Sequence, residues 1–448
     1  MKRNHFYWVA IMLFIVAAGF IVVKYKKDER IKMATFYPLK ERVGSMANTE
    51  EAKNVKKQFA DLMKIARTNP DDTKSRISLA SLYIQEARVT GNYMYYDMAA
   101  MKYVNEVLEK DASNFEALMF KSLLYLSQHH FAEGLAIAEK ARAQNPDNAF
   151  VHGILVDGNV EMGNYTAAID EAEKMMSIRP DMRSYSRASY LREIHGDYPG
   201  AIEAMKLAVD AGLPGDESTE WTRVHLAHLY EITGDLKNAE MHYLIALQKR
   251  PGYAYAIAGQ GRIALAAKEY NKAIAYYLQA DSLVNDYSFK EDIAEVYEQT
   301  GQKNKSDSII KWLAAAMSQD AKSGQQDDNI GHYADRELAY IYLKTGDYDK
   351  ALEHALAEYN RRPANIDVNE TVAWVYYNRK EYNKALSYLA TAMKTKSKNP
   401  TLLCRAGLIY AKAGDKAKAK VILEDLARTN FSIAEPLKTQ GLAALQTL

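Results

Sequence analysis

Apolar positions along the chain fall into two patterns. The first is an unbroken run from Phe6 to Val23, FYWVAIMLFIVAAGFIVV, which contains no charged residue. Eighteen residues at the helical rise span roughly 27 Å, the thickness of a bilayer core. The second pattern begins near Asn48 and is periodic. Pairs of a small and an aromatic residue three apart recur as Ala80/Tyr83, Ser122/Tyr125, Ala227/Tyr230, Ala294/Tyr297, Ala339/Tyr342 and Gly407/Tyr410. Residues three apart share one face of a helix, so each pair marks a packing face.

Between two such helical segments stands a short turn. It reads His129-His130-Phe131, Gly163-Asn164-Tyr165, Gly196-Asp197-Tyr198, Gly234-Asp235-Leu236 and Lys268-Glu269-Tyr270. It continues as Gly301-Gln302-Lys303, Gly346-Asp347-Tyr348, Lys380-Glu381-Tyr382 and Gly414-Asp415-Lys416. Successive turns are 34, 33, 38, 34, 33, 45, 34 and 34 residues apart. A left-handed residue ends one helix there, and the following Asp or Asn caps the next. A small residue follows three positions after most turns, as in Ala168, Ala201, Ala239, Ala273, Ala351, Ala385 and Ala419. Small residues let paired helices approach closely. Prolines at 70, 146, 180, 214, 251, 363 and 400 stand where helices stop. A period of this length predicts a solenoid of helical hairpins rather than separate globules.

These units resemble tetratricopeptide repeats, with Glu337–Ala357 and Val372–Leu386 carrying most of that pattern. The resemblance implies an all-α, right-handed superhelical solenoid of about ten hairpins, preceded by one N-terminal apolar helix. Some units depart from the pattern: Val156 and Val372 replace the small residue, Asn159 and Arg192 the tyrosine, and Ser306 the alanine. The domain boundaries follow. Residues 1–5 form a basic start, 6–23 a transmembrane anchor or signal segment, and 24–47 a juxtamembrane linker. Residues 48–318 hold an opening helix and seven units, 319–331 a polar loop or hinge, and 332–448 three units with a closing helix. Extra residues at 87–96 are expected to lengthen the turn inside the first unit, and a further loop is expected at 212–219.

Charge and chemistry narrow the function. Lys and Arg total 58 against 57 for Asp and Glu, so the chain as a whole is not a basic nucleic-acid binder, and no nucleic-acid partner is expected. Cys404 is the only cysteine, which excludes disulfides within the chain and cysteine-rich metal sites. Gly259-Gln260-Gly261-Arg262-Ile263-Ala264 falls inside a helix, whereas a dinucleotide fingerprint needs a preceding strand. His225 and His228 share a helix face with Glu231, as surface histidines commonly do. No catalytic constellation, cofactor site or metal site is expected.

Lys24, Lys26, Lys27, Arg30 and Lys32 outnumber Lys2 and Arg3, which by charge counting favours a cytoplasmic body. A short basic start before an apolar core is also the pattern of export, and an exported body is the expectation adopted.

The working surface of a solenoid is its concave groove. In repeat register that groove carries Tyr190, Trp221, His228, Tyr255, Arg262, Tyr333, Arg336, Tyr340, Trp374 and Tyr377, with glutamates between them. Such residues dominate protein-binding hot spots. The expected function is a membrane-tethered, non-enzymatic scaffold for protein or peptide partners. A glycan or lipid receptor and a purely architectural spacer are the alternatives. In chaperone adaptors of the resembled family, Lys and Asn clamp a terminal carboxylate. Val224, Ala258 and Glu291 stand at the corresponding positions here, so that specificity is not carried over.

Overall fold

The computed structural model describes residues 11–24, 36–325, 331–429 and 434–448. The basic start 1–5, the first five residues of the apolar run, residues 25–35 and 326–330 of the expected hinge lie outside them. Residues 11–24 are helical, with most of their apolar side chains exposed. Among the described residues no helix is long and apolar enough to cross a membrane.

From Glu50 onward the described residues form 22 α-helices and no strand. Glu50–Thr68 opens the array and Glu435–Gln446 closes it. Between them stand ten hairpins, here units 1 to 10, spanning 73–110, 115–144, 149–178, 182–210, 217–249, 254–281, 287–325, 335–361, 366–392 and 400–428. The hairpins form where the repeat places them. Gly163, Gly196, Gly234, Gly346 and Gly414 all have positive φ, and so do His129, Lys268 and Lys380 at the same turn position. The conformation thus belongs to the turn, and glycine only relieves its cost. Where the next residue is aspartate it caps the second helix: Asp197, Asp235, Asp347 and Asp415 accept from the backbone N–H three residues on. Asn164, expected to cap in the same way, makes no side-chain cap, and neither does Asn92. Ala168, Ala201, Ala239, Ala273, Ala351, Ala385 and Ala419 are fully buried, as close helix pairing requires.

Three expectations need correction. The extra residues of unit 1 do not lengthen its turn. They lengthen its helices, Thr73–Thr90 and Tyr93–Lys110, each of 18 residues. The turn is Gly91-Asn92, with Gly91 at φ 71°, the same signature as in later units. The second helix of unit 7 continues to Gln325, so residues 319–325 are helix rather than loop. The linker at 24–47 is not free over its described part, because residues 36–47 pack onto the body as a strap. Tyr83 Oη donates to Tyr37 O at 2.5 Å, Tyr95 Oη donates to Pro38 O at 2.7 Å, and Tyr96 Oη accepts from Lys40 N at 2.9 Å. Arg42 is buried and pairs with Glu86 at 2.5 Å and with Glu51 at 2.9 Å.

The superhelix closes on itself. Residues about 200 apart, roughly six units, meet along a seam between successive turns. Arg250 reaches Glu51 at 2.7 Å, and Ser45 donates to Pro251 O at 2.9 Å. The backbone N–H of Asn285 donates to Thr90 O at 3.2 Å. His129 Nδ1 donates to Tyr333 O at 2.8 Å, and His130 Nε2 to Gly331 O at 3.0 Å. Arg362 pairs with Glu161, Asn365 donates to Glu161 O at 3.0 Å, and Tyr165 Oη accepts from Ile366 N at 2.9 Å. Lys394 Nζ donates to Gly163 O at 3.0 Å. Several αL glycines are fixed by this seam, Gly91, Gly163, Gly196 and Gly252 among them. A Cβ on Gly163 would stand 2.3 Å from the Ala364 backbone, and one on Gly196 2.8 Å from Lys396 O.

Candidate functional site

In repeat register the expected wall positions are the side chains 13, 10, 6 and 3 residues before a turn, on the first helix of each unit. Opposite walls approach each other: Arg88 of unit 1 pairs with Glu217 of unit 5 at 3.0 Å and stands 5.6 Å from the centre of the Trp221 ring. First helices of different superhelical turns therefore meet at this point of the predicted groove.

The ten residues expected in the groove divide into three sets. Tyr190 and Trp221 are the most exposed aromatics among the ten, at 40% and 37%. Trp221 also rests against His225, with ring centres 3.9 Å apart. Burial pushes the His225 imidazole down to about 4, with His228, Arg262 and Arg88 adding to the shift, so the ring is neutral at pH 7.

The second set is already spent on neighbouring wall residues. Arg262 Nε meets Glu231 at 3.0 Å, and its Nη2 donates to Tyr243 Oη at 2.8 Å. Burial alone would raise the Glu231 carboxyl, but Arg262, His228 and Tyr243 hold it at about 2. His228 Nδ1 lies 3.8 Å from that carboxylate. Tyr340 Oη donates to Glu370 at 2.6 Å, and Arg405 meets the other oxygen of Glu370 at 2.5 Å. Arg405 also lies 5.1 Å from the Tyr340 ring centre and 5.0 Å from that of Trp374. Trp374 stacks on Tyr377 at 4.7 Å. Arg336 reaches Thr371 Oγ1 at 3.4 Å and stands 5.8 Å over Tyr340.

The third set is not wall surface. Tyr333 sits in the seam, its ring 4.1 Å from that of His130 and 4.3 Å from the Arg361 guanidinium. Tyr255 is wedged between Tyr253 and Phe289, both at 5.6 Å, with its hydroxyl on Asp286 at 3.2 Å.

Sequence reading missed Arg405, Arg88, Asp292 and Asp367. Arg88 stands three residues before Gly91, a groove position, and a search for Gly-Asn-Tyr would have found it. Arg405 and Asp292 stand nine before their turns, one residue off the register used. A cavity of about 310 Å³ joins the two turns, with Glu193 and Tyr198 of unit 4 on one side and Arg336, Asp367, Glu370 and Arg405 on the other. Among the described residues no group of three or more His, Cys, Asp or Glu side chains is placed to hold a metal ion. Gly259 and Gly261 serve packing: a Cβ on either would enter the rings of Tyr243 and Tyr277, at 2.4 and 2.6 Å. Cys404 is buried, and burial pushes its thiol up to about 11.

Several solved structures are similar to the chain. Human IFIT1, as a dimer with PPP-AAAA, is 14% identical over 78% of this chain and 89% of its own, with a TM-score of 0.43. A chain of the APC/C hetero-tetramer Cut9–Hcn1 is 14% identical over 82% of this chain and 70% of its own, at 0.45. A tetratricopeptide repeat protein from Parabacteroides merdae is 15% identical over 58% of this chain and 98% of its own, at 0.33. No protein-family model and no curated protein matches the chain.

Proposed function

We propose that the chain is a non-enzymatic helical-repeat scaffold that holds a protein or peptide partner against its inner wall. The observation that carries this reading is the half-exposure of Tyr190 and Trp221 inside the coil, beside wall charges already satisfied by their neighbours. A large aromatic face left partly open offers contact area at low entropy cost. Tyr340 and Trp374 contribute by holding Arg405 and Glu370 in place. The seam lets a partner enter along the coil axis or when the turns part.

The apolar run 6–23 serves in this proposal as a membrane tether, on the strength of its length and its lack of charge. The body is assigned to the exported side, and a C-terminal reporter active only in the cytoplasm would reverse that assignment. The strap at 36–47 couples the tether to unit 1 and to the seam. Affinity capture from detergent extract, with Tyr190→Ala and Trp221→Ala together, tests the scaffold. Partners that come down undiminished, from a variant that melts like the parent, would contradict it.

A further inference from the structure

We propose that the inner wall takes a basic, extended polypeptide segment. This rests on the inner-wall reading above and adds the charge and shape of the partner. The cations of the wall are largely spent: Arg262 on Glu231 at 3.0 Å, Lys344 on Glu291 at 3.6 Å and Arg405 on Glu370 at 2.5 Å. Its carboxylates are not. Glu193, Asp292 and Asp367 make no ion pair and no side-chain hydrogen bond with a described residue, and Glu295 accepts only from Gln299. Arg183 and Arg336 make no ion pair either. Arg183 stands 4.9 Å over the Phe150 ring, and Arg336 stands in the field of Asp367, Glu337 and Glu370, which outnumber it.

The interior thus keeps negative charge that its own cations do not balance. Glu193 and Asp292 are only partly exposed, and Asp367 lies at the open side of its cavity. A partly enclosed carboxylate without a partner costs free energy, and a cation supplied from outside removes that cost. The same imbalance shows in titration. Burial pushes the Asp292 carboxyl up to about 7 against the pull of Arg262, with Glu295 and Glu291 adding to the rise. Burial likewise raises Glu193, against His228 and with Asp367 adding to it.

The placement argues for an extended chain over a compact cation. Glu193 and Asp367 line one cavity from different superhelical turns. Asp292 and Glu295 stand on unit 7, further along the wall. Several basic side chains spaced along a backbone match such a series, and the open face of Tyr190 would take an aliphatic stem or cationic head, as Trp221 already takes Arg88 within the chain. The chain already binds one basic segment. Its strap carries Lys40 and Arg42 before a 3₁₀ turn at Gly44–Met46, and unit 1 holds it through tyrosine hydroxyls and Glu86. A nucleic acid would meet the same field as repulsion.

Fluorescence anisotropy on the full chain in detergent tests this with three labelled probes: a peptide of alternating lysine and serine, one of alternating glutamate and serine, and an oligoadenylate RNA. The lysine peptide alone is expected to bind, more weakly as salt rises. Neutralising the wall with Glu193→Gln, Asp292→Asn and Asp367→Asn should weaken it about tenfold, the loss of charge pairs in a partly enclosed site. The outer-face triple Glu203→Gln, Asp210→Asn and Glu240→Gln should leave binding unchanged. The wall triple should melt close to the parent, since none of the three carboxylates makes an ion pair or side-chain hydrogen bond with a described residue. Failure of the lysine peptide to bind, equal binding of the two peptides, preference for RNA, or equal loss in the outer-face triple would each overturn the inference. If the lysine peptide fails while partner capture still depends on Tyr190 and Trp221, the scaffold reading stands and only the partner's charge is wrong.

Discussion

Glu51 and Arg250 are 199 residues apart in sequence and 2.7 Å apart in space. The carboxylate of Glu51 also holds Arg42 at 2.9 Å, so one side chain ties the opening helix, the strap and the second superhelical turn together. Arg42 and Arg250 are both buried, whereas Glu51 is about one-third exposed. Glu51→Gln leaves Arg250 without its carboxylate. The cost should be about 2 kcal/mol, below that of a fully buried pair because solvent reaches Glu51. Thermal unfolding should show the loss, and small-angle scattering should show a larger radius of gyration as the turns part. An unchanged radius with a lowered melting point would confine Glu51 to local stability.

Lys268 and Lys380 hold φ of 61° and 62° at turns where most units use glycine. A side chain in that conformation costs roughly 1 kcal/mol, part of which glycine returns through its freer unfolded chain. Lys268→Gly and Lys380→Gly should therefore each stabilise by about 0.5 kcal/mol. Denaturant melts of the single and double variants measure this, and the two effects should add because the sites are far apart.

Gly259 approaches the fully buried ring of Tyr243, whose hydroxyl is fixed by Glu231 and Arg262. The ring has no route of retreat. Gly259→Ala should cost about 1–3 kcal/mol by overpacking, despite the better helix propensity of alanine. A gain in melting temperature would show that unit 5 and unit 6 pack more loosely than described.

Asp97 is 4% exposed and accepts from Ser127 at 2.8 Å. Burial pushes its carboxyl up to about 7, against the pull of that hydrogen bond. A folded-state value above the unfolded one means the native state binds the proton more tightly. Asp97 therefore weakens the fold as pH rises from about 4 to about 7, and by a constant amount above that. Asp97→Asn keeps an acceptor for Ser127 and removes the charge. It should be more stable than the parent at pH 8, by an amount on the order of a few kcal/mol, and the difference should shrink toward pH 4. A difference independent of pH would contradict the shift.

The hairpins were legible because each repeats a local requirement. A left-handed turn, a capping carboxylate and a fully buried alanine leave the same letters in most units, so Gly163, Asp235 and Ala273 could be read without coordinates. Gly91-Asn92-Tyr93 carries those letters too, but the longer helices of unit 1 displaced it from the expected spacing, and Arg88 was lost with it. The polar residues after Asp320 suggested a loop, yet with no proline or glycine before Gly324 the helix runs on to Gln325. The seam left no trace in the pattern. Whether Glu161 meets Arg362 depends on small rotations summed over six units, and no local signal encodes that sum. For the same reason Tyr333 appeared to line the groove.

The most direct test of an inner-wall scaffold is site-specific photocrosslinking with the full chain in its native membrane. A benzoylphenylalanine at position 190 faces the interior, and one at position 278 replaces Leu278, which is 50% exposed on the second helix of unit 6. The account predicts a discrete protein adduct from position 190, abolished by Trp221→Ala, and none from position 278. Adducts from position 278 with none from position 190 would place the partner on the outer face and contradict it.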